Sequence, residues 1–168
     1  MEFDELQRTF KRLNPSVLRL WRWHLGWAMS AVPPLTGKTM VVSHVGRTSG
    51  LRRQTPLNYA VLEGDVWCTT NERSQWLRNV AANAEVTVWL PLRRPRRGRA
   101  EILPVDEAHV DRLRSVLLAS GFAAGRFAGL EPRRDSDAAL LAGCRDYRLV
   151  RIVRGDVVPR ARRGITRG

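Results

Sequence analysis

Between Thr39 and Val105 the chain is a succession of short strand-like runs joined by tight polar turns, and this grammar limits the folds open to it. The apolar, β-branched run Thr39-Met40-Val41-Val42-Ser43-His44-Val45 leads into a turn bracketed by Gly46 and Gly50. A long second strand, Leu51–Leu62, contains Pro56, which cannot donate to a ladder and therefore marks an edge, a bulge or backbone that faces a ligand. Glu63-Gly64-Asp65 is a hairpin signal into a strand over Val66–Thr70. Ser74 is placed to cap a short helix, Gln75–Ala82. Val86, Val88 and Leu90 then alternate with Thr87 and Trp89 in a strand Glu85–Leu90, and Arg99–Val105 pairs back across an arginine-rich turn.

The remainder is read by the same periodicities. Asp106-Glu107 gives an acidic first turn to a helix ending near Ala119, with Val110, Leu113, Val116 and Leu117 on one face. Residues 121–134 read as loop or a short irregular helix, Asp137–Ala142 as one more helical turn, and Tyr147–Val153 as the last strand. Some six strands with hairpin links predict an α+β fold, an antiparallel sheet curled into a small barrel with flanking helices. The expected organisation is N-terminal helices over 1–36, a barrel domain over 37–155 and a basic flexible tail over 156–168.

In the N-terminal part, Phe3, Leu6, Phe10 and Leu13 recur at helical spacing, and Asn14-Pro15 breaks that run. A second helix is expected over about 16–31. It carries Trp21, Trp23 and Trp27 among arginines, a composition that suits peripheral contact with a membrane interface, although the plainer reading is a helix covering one end of the core. The acidic start Met1-Glu2-Phe3-Asp4-Glu5 lacks the charge pattern of a secretory signal. Together with two well-separated cysteines, Cys68 and Cys144, it points to a reducing cytoplasm, with membrane association left to the 16–31 helix.

The formal net charge of +13 raises the question of nucleic acid. Of the 29 basic residues, all but Lys11 and Lys38 are arginine, the bias of a high-GC genome. Nine arginines fall in two short runs, at 93–99 and 160–167. Zinc-knuckle spacing, a helix-turn-helix pattern and an aromatic RNA-binding signature are all missing, so no specific nucleic-acid partner is expected. His24, His44 and His109 sit at no metal-ligand spacing, so no metal is expected. There is no nucleophile elbow and no complete phosphate loop. A chain without those groups either is not an enzyme or takes its chemistry from a cofactor.

The turn Gly46-Arg47-Thr48-Ser49-Gly50 is the place to look for one. Glycines let successive N–H groups converge into a nest for an anion, and Arg47 can add a forked contact to phosphate or carboxylate. The plainer reading is a hairpin turn with an exposed arginine.

This turn, the Arg53-x-x-Pro56-Leu57 segment, the Gly64-Asp65 hairpin and Trp76-Leu77-Arg78-Asn79 followed by Ala82-Asn83 and Glu85-Val86 form an ordered set. The set resembles the deazaflavin-dependent nitroreductase family, over about 39–105. The resemblance implies a split β-barrel of the FMN-binding type that holds coenzyme F420, with FMN as the alternative cofactor. It implies hydride transfer from reduced deazaflavin to a small-molecule acceptor such as a quinone, enone or nitro compound; the alternative is a carrier without turnover.

By position in the family, Arg47, Thr48 and Ser49 would hold the phosphate or the acidic tail. Arg53, Gln54, Thr55, Pro56, Leu57 and Asn58 would line the cleft. Thr69, Thr70 and Asn71 would approach the ring, and Trp76 and Asn79 would close it. Thr48 stands where the family carries lysine, the loop before Trp76 is short, and residues 121–134 hold no tyrosine, only Phe122 and Phe127. No catalytic residue is assigned, although the hydroxyls of Tyr59 and Ser43 are candidate proton donors. Oligomerisation stays open.

Overall fold

The computed structural model describes residues 37–121 and 129–157. The expected helices over 2–13 and 16–31, Phe122, Phe127 and the tail beyond Pro159 lie outside these residues. Seven strands are present, β1 (Thr39–Val45), β2 (Arg52–Asn58), β3 (Ala60–Leu62), β4 (Asp65–Asn71), β5 (Glu85–Trp89), β6 (Arg96–Leu103) and β7 (Tyr147–Val157). They form one sheet in the order β2-β1-β5-β6-β7-β4-β3, every pair antiparallel. Helices α1 (Gln75–Ala82), α2 (Val110–Ala119) and α3 (Asp137–Gly143) flank it.

The expected single strand Leu51–Leu62 is in fact two, and the break explains how the sheet closes. β2 pairs with β1 as far as Asn58 opposite Thr39. The Tyr59 N–H then leaves that ladder and donates to the carbonyl of Lys38 at 2.9 Å. From Ala60 the chain pairs with β4 instead. β2 and β3 are thus the two outer strands of the sheet and are joined by one residue, so the sheet curls until β2 meets β4. The result is a split β-barrel. Pro56 lies on the edge strand β2, where its missing N–H removes no ladder bond to a further strand.

Period-2 alternation sorts the side chains into two cores. Met40, Val42, Val66, Cys68, Val86, Val88, Val150 and Ile152 fill the inside of the curl, and Trp76, Leu77 and Val80 of α1 pack among them. Ala60, Trp67 and Leu149 face outward and are covered by Leu113, Val116 and Leu117 of α2 and Leu140 of α3. Each of these large apolar side chains stabilises the fold by about 1.5–3 kcal/mol on burial. Trp67 also lies beneath the guanidinium groups of Arg112 and Arg151, 5.6 and 5.9 Å from its ring centre.

Other boundaries shift for local reasons. β6 begins at Arg96, inside the arginine run read as turn, because Arg96 and Arg97 pair with Val88 and Thr87. The helix expected from Asp106 opens as a 3-10 turn, Glu107–His109, where Asp106 Oδ1 meets His109 Nδ1 at 2.6 Å. β7 runs on to Val157 instead of ending at Val153, since its far end pairs with Arg96. Ser74 makes no side-chain cap to α1; its Oγ accepts from Thr70 Oγ1 at 2.9 Å.

Candidate functional site

β1 ends at Val45, and the chain reverses through Gly46–Gly50 into β2. A Cβ at Gly46 would lie 2.7 Å from Ser49 Oγ and 3.0 Å from Arg53 Nε, so a side chain there would displace both. Gly50 is required by conformation, with φ of +65°. The turn uses part of its own donor set. Gly46 N–H donates to Leu51 O, Gly50 N–H to Gly46 O and Leu51 N–H to Ser49 Oγ. The Arg47 N–H donates to Asn79 Oδ1 at 3.1 Å. The N–H groups of Thr48 and Ser49 are engaged by no described residue. Of the turn donors expected to form a nest, these two are the ones left uncommitted by the described residues.

Gly46, Arg47, Thr48, Ser49 and Arg53 line one cavity of about 290 Å³ together with Gln75 and Asn79 from α1. Its walls carry two guanidinium groups, two hydroxyls and two carboxamides, and no carboxylate. Arg47 Nη1 donates to Gln75 Oε1 at 2.9 Å and to Asn79 Oδ1 at 3.3 Å. Its Nε and Nη2 meet no partner among the described residues and remain free for an anion. Arg53 Nη2 reaches Ser49 Oγ at 3.5 Å.

Behind the cavity wall lies a buried relay that ties α1 to both strands. Asn79 is 4% exposed and His44 is 3% exposed. Because Asn79 Oδ1 accepts from Arg47, its Nδ2 is turned to His44 Nδ1, 3.3 Å away. His44 Nδ1 must then accept, so the proton sits on Nε2, which donates to Thr55 Oγ1 at 3.0 Å. Burial pushes the His44 pKa below its ordinary value, with a smaller push from Arg53 and an opposing backbone hydrogen bond at Val45. The imidazole is therefore a neutral link between Asn79 and β2.

The residues expected to line the cleft divide between the two faces of β2. His44 pairs with Arg53, Val42 with Thr55 and Met40 with Leu57, so those three share the inward face. Arg53 reaches the cavity, Thr55 meets His44, and Leu57 packs on the inner core. Gln54, Pro56 and Asn58 take the other face, where Asn58 is held by Thr39 Oγ1 at 3.3 Å and by the carbonyl of Ser120 at 3.4 Å. On β4, Thr70 is buried and accepts from Trp76 Nε1 at 2.9 Å, while Asn71 Oδ1 shapes the next loop by accepting from the Arg73 N–H. Thr69 alternates to the face opposite Thr70. Trp76 is 5% exposed within the core, its ring 6.4 Å from that of His44. Tyr59 and Ser43 are both buried outside the cavity lining, and burial raises the Tyr59 pKa against the opposing charges of Arg93 and Arg154.

His44 and Gln75 were not singled out for the site from sequence. Their partners, Asn79 and Arg47, stand 35 and 28 positions away, and nothing in local spacing marks such contacts. Among the described residues no group of three or more His, Cys, Asp and Glu is placed to hold a metal, and no helix is long and apolar enough to cross a membrane.

A curled antiparallel barrel with a cationic turn at one strand end defines a split-barrel protein with a cavity lined by two arginines and no carboxylate. The chain belongs to the family described as F420H(2)-dependent quinone reductase, whose model matches residues 27–120. This agrees with the deazaflavin-family resemblance of the sequence.

Solved structures share the fold. Conserved hypothetical protein Rv2991 from Mycobacterium tuberculosis is 22% identical, with 71% of this chain and 74% of that chain covered and a TM-score of 0.53. A candidate pyridoxamine 5′-phosphate oxidase from Listeria innocua is 13% identical, with 72% and 86% covered and a TM-score of 0.50. The heme storage protein HutZ from Vibrio cholerae is 11% identical, with 77% and 87% covered and a TM-score of 0.50. A comparison with curated proteins gives no match.

Proposed function

We propose that the protein is an oxidoreductase that uses reduced coenzyme F420 to reduce a quinone, and that the Gly46–Gly50 turn holds the anionic part of the cofactor. The observation that carries this reading is the cavity itself: two arginines, free N–H groups at Thr48 and Ser49, and no carboxylate in the lining. That donor set fits a phosphate or a carboxylate-bearing tail. When bound, the deazaflavin supplies a hydride; with a proton, the quinone becomes a hydroquinone and the cofactor is left oxidised.

The chain's own groups bind and orient. Arg47 offers Nε and Nη2 to the anion while Gln75 and Asn79 fix the rest of its guanidinium. Arg53 adds a second charge from β2. Asn79, held by His44, fixes the turn to α1, so that the anion site is set before the ligand arrives and loses little ordering entropy on binding. Such orientation, without a covalent step on the protein, is the contribution expected where a cofactor carries the chemistry.

The test is Arg47→Ala with coenzyme F420 binding followed by fluorescence quenching. Loss of a charge-assisted hydrogen bond, about 1.5–3 kcal/mol, corresponds to roughly ten- to hundredfold weaker binding. The loss should be larger at low salt than at high salt, because screening shrinks the missing attraction. Unchanged affinity would remove the turn from the site. A parallel titration in which FMN binds and F420 does not would replace the cofactor. Oxidation of reduced F420 by a soluble quinone, and not by a nitroaromatic or an enone, is the expected acceptor pattern. Binding without any turnover would leave a carrier.

A further inference from the structure

The hairpin between β5 and β6 carries a feature the cofactor site does not use. Leu92 is 87% exposed and stands at φ of +57°, a left-handed conformation that a leucine adopts at a cost and a glycine would not. Arg93, Arg94, Arg96 and Arg97 follow it in the same hairpin, all exposed. None of the four forms an ion pair among the described residues. Elsewhere Arg99, Arg112, Arg114, Arg134, Arg148 and Arg151 each meet a carboxylate. Arg154, anchored on the carbonyl of Gly64, joins Arg93, Arg94 and Arg96 around a shallow recess floored by Val88 and Leu90.

We infer that this hairpin tip docks the protein on an anionic phospholipid bilayer, Leu92 entering the acyl boundary and the arginines meeting lipid phosphates. An exposed apolar tip on a hairpin rich in unpaired cations is complementary to such a surface, which presents phosphate above hydrocarbon. A nucleic acid fits less well, since no aromatic side chain lies between Leu90 and Arg97 for a base to stack on. The tip is also remote from the anion turn. Val41 pairs with Trp89 and Ser43 with Thr87, so the hairpin leaves the sheet at the Thr39 end of β1, whereas the turn follows Val45. Seven strand residues separate the ends by roughly 20 Å. The inference therefore stands independently of the cofactor reading.

Flotation of the full chain with phosphatidylcholine vesicles, with and without phosphatidylglycerol, tests it. The parent should float with phosphatidylglycerol only, and less as salt rises. Leu92→Gly relieves the left-handed strain, so its melting temperature should not fall, yet its partition should drop by about tenfold. Changing Arg93, Arg94, Arg96 and Arg97 together to glutamine should cost about fivefold per charge. Both variants should bind coenzyme F420 as the parent does. The proposal is overturned if the parent does not float, or if both variants float as the parent does. It is equally overturned if the arginine variant loses binding to an RNA oligonucleotide while vesicle binding is unmoved.

Discussion

Asn79→Asp should reverse the sign of the His44 contribution to the pH dependence of stability near neutrality. In the parent, Asn79 Oδ1 is committed to two donors of Arg47, so its amide nitrogen faces His44 Nδ1 at 3.3 Å. Protonating His44 would set an N–H against that amide, or force the amide to turn its own N–H groups toward Arg47. Leaving one such buried group unsatisfied costs about 1–3 kcal/mol, so protonation of His44 is disfavoured in the folded state. Burial and Arg53 act in the same direction. The folded-state pKa of His44 is thus below the 6.5 expected for it unfolded. Stability from this group is then complete above 6.5 and is lost as pH falls from there toward the folded-state value.

The aspartate has the shape of the amide but only accepts. One oxygen keeps both Arg47 bonds, and the other invites a proton on His44 Nδ1, whose Nε2 can still meet Thr55 Oγ1 as before. The folded-state pKa of His44 then lies above 6.5, so its contribution is complete below that pH and is lost as pH rises through the new value. The groups facing the pair are Arg47 and Arg53, which keep the carboxylate ionised, the Thr55 hydroxyl and the Trp76 ring. Urea unfolding of both proteins between pH 5 and 8, followed by tryptophan fluorescence, reads the effect. Other titrating groups cancel in the difference between the two curves. The difference should move against the variant as pH rises, with a slope no steeper than about 1.4 kcal/mol per pH unit. A flat difference, or one of the opposite sign, would refute the relay. Ring-nitrogen shifts of His44 by NMR should show the parent protonated on Nε2 alone at pH 7.

Gly46→Ala should weaken F420 binding several-fold with little change in urea stability, since the new Cβ meets only the movable ends of Ser49 and Arg53. A large loss of stability with unchanged affinity would contradict this. Cys68 is fully buried with its thiol pushed up to about 12, and Cys144 to about 11, so Cys68 should react with an aromatic disulfide only at the rate of unfolding. Rapid labelling of Cys68 in the folded protein would show that the inner core opens.

The strand grammar of 39–105 was legible because one face of each strand is buried: the alternation of Val86, Val88 and Leu90 is a direct record of the barrel interior. The break at Tyr59 was not. Leu51–Leu62 is uniformly strand-like, and what divides it is the Lys38 carbonyl that captures the Tyr59 N–H, a contact between segments far apart in sequence. The site shows the same boundary. Gly46, Gly50 and Arg47 are compatible by local chemistry with an anion turn or a plain hairpin, and which donors remain uncommitted depends on Asn79 taking the Arg47 N–H. His44 reads as an isolated histidine in a buried strand, and only the fold sets it between Asn79 and Thr55.

The excess positive charge follows a further logic that composition conceals. Where carboxylates are available the arginines pair with them, as Arg151 does with Asp65 and Glu101. At the Val45 end of β1, Arg47 and Arg53 line the cavity, with Arg52 alongside on β2, Arg73 before α1 and Arg78 on it, and none of the five meets a carboxylate among the described residues. At the Thr39 end the hairpin arginines are likewise without one. Arg133 and Arg145 are outside this division. Repulsion among like charges costs stability in a monomer, and two concentrations of it at opposite ends of one strand are sustained more readily if each has its own anion. A small anion in the turn and a lipid surface at the hairpin would relieve them separately. Phosphate added to the full chain should therefore raise the melting temperature of the hairpin arginine variant as much as that of the parent, and raise it less in Arg47→Ala.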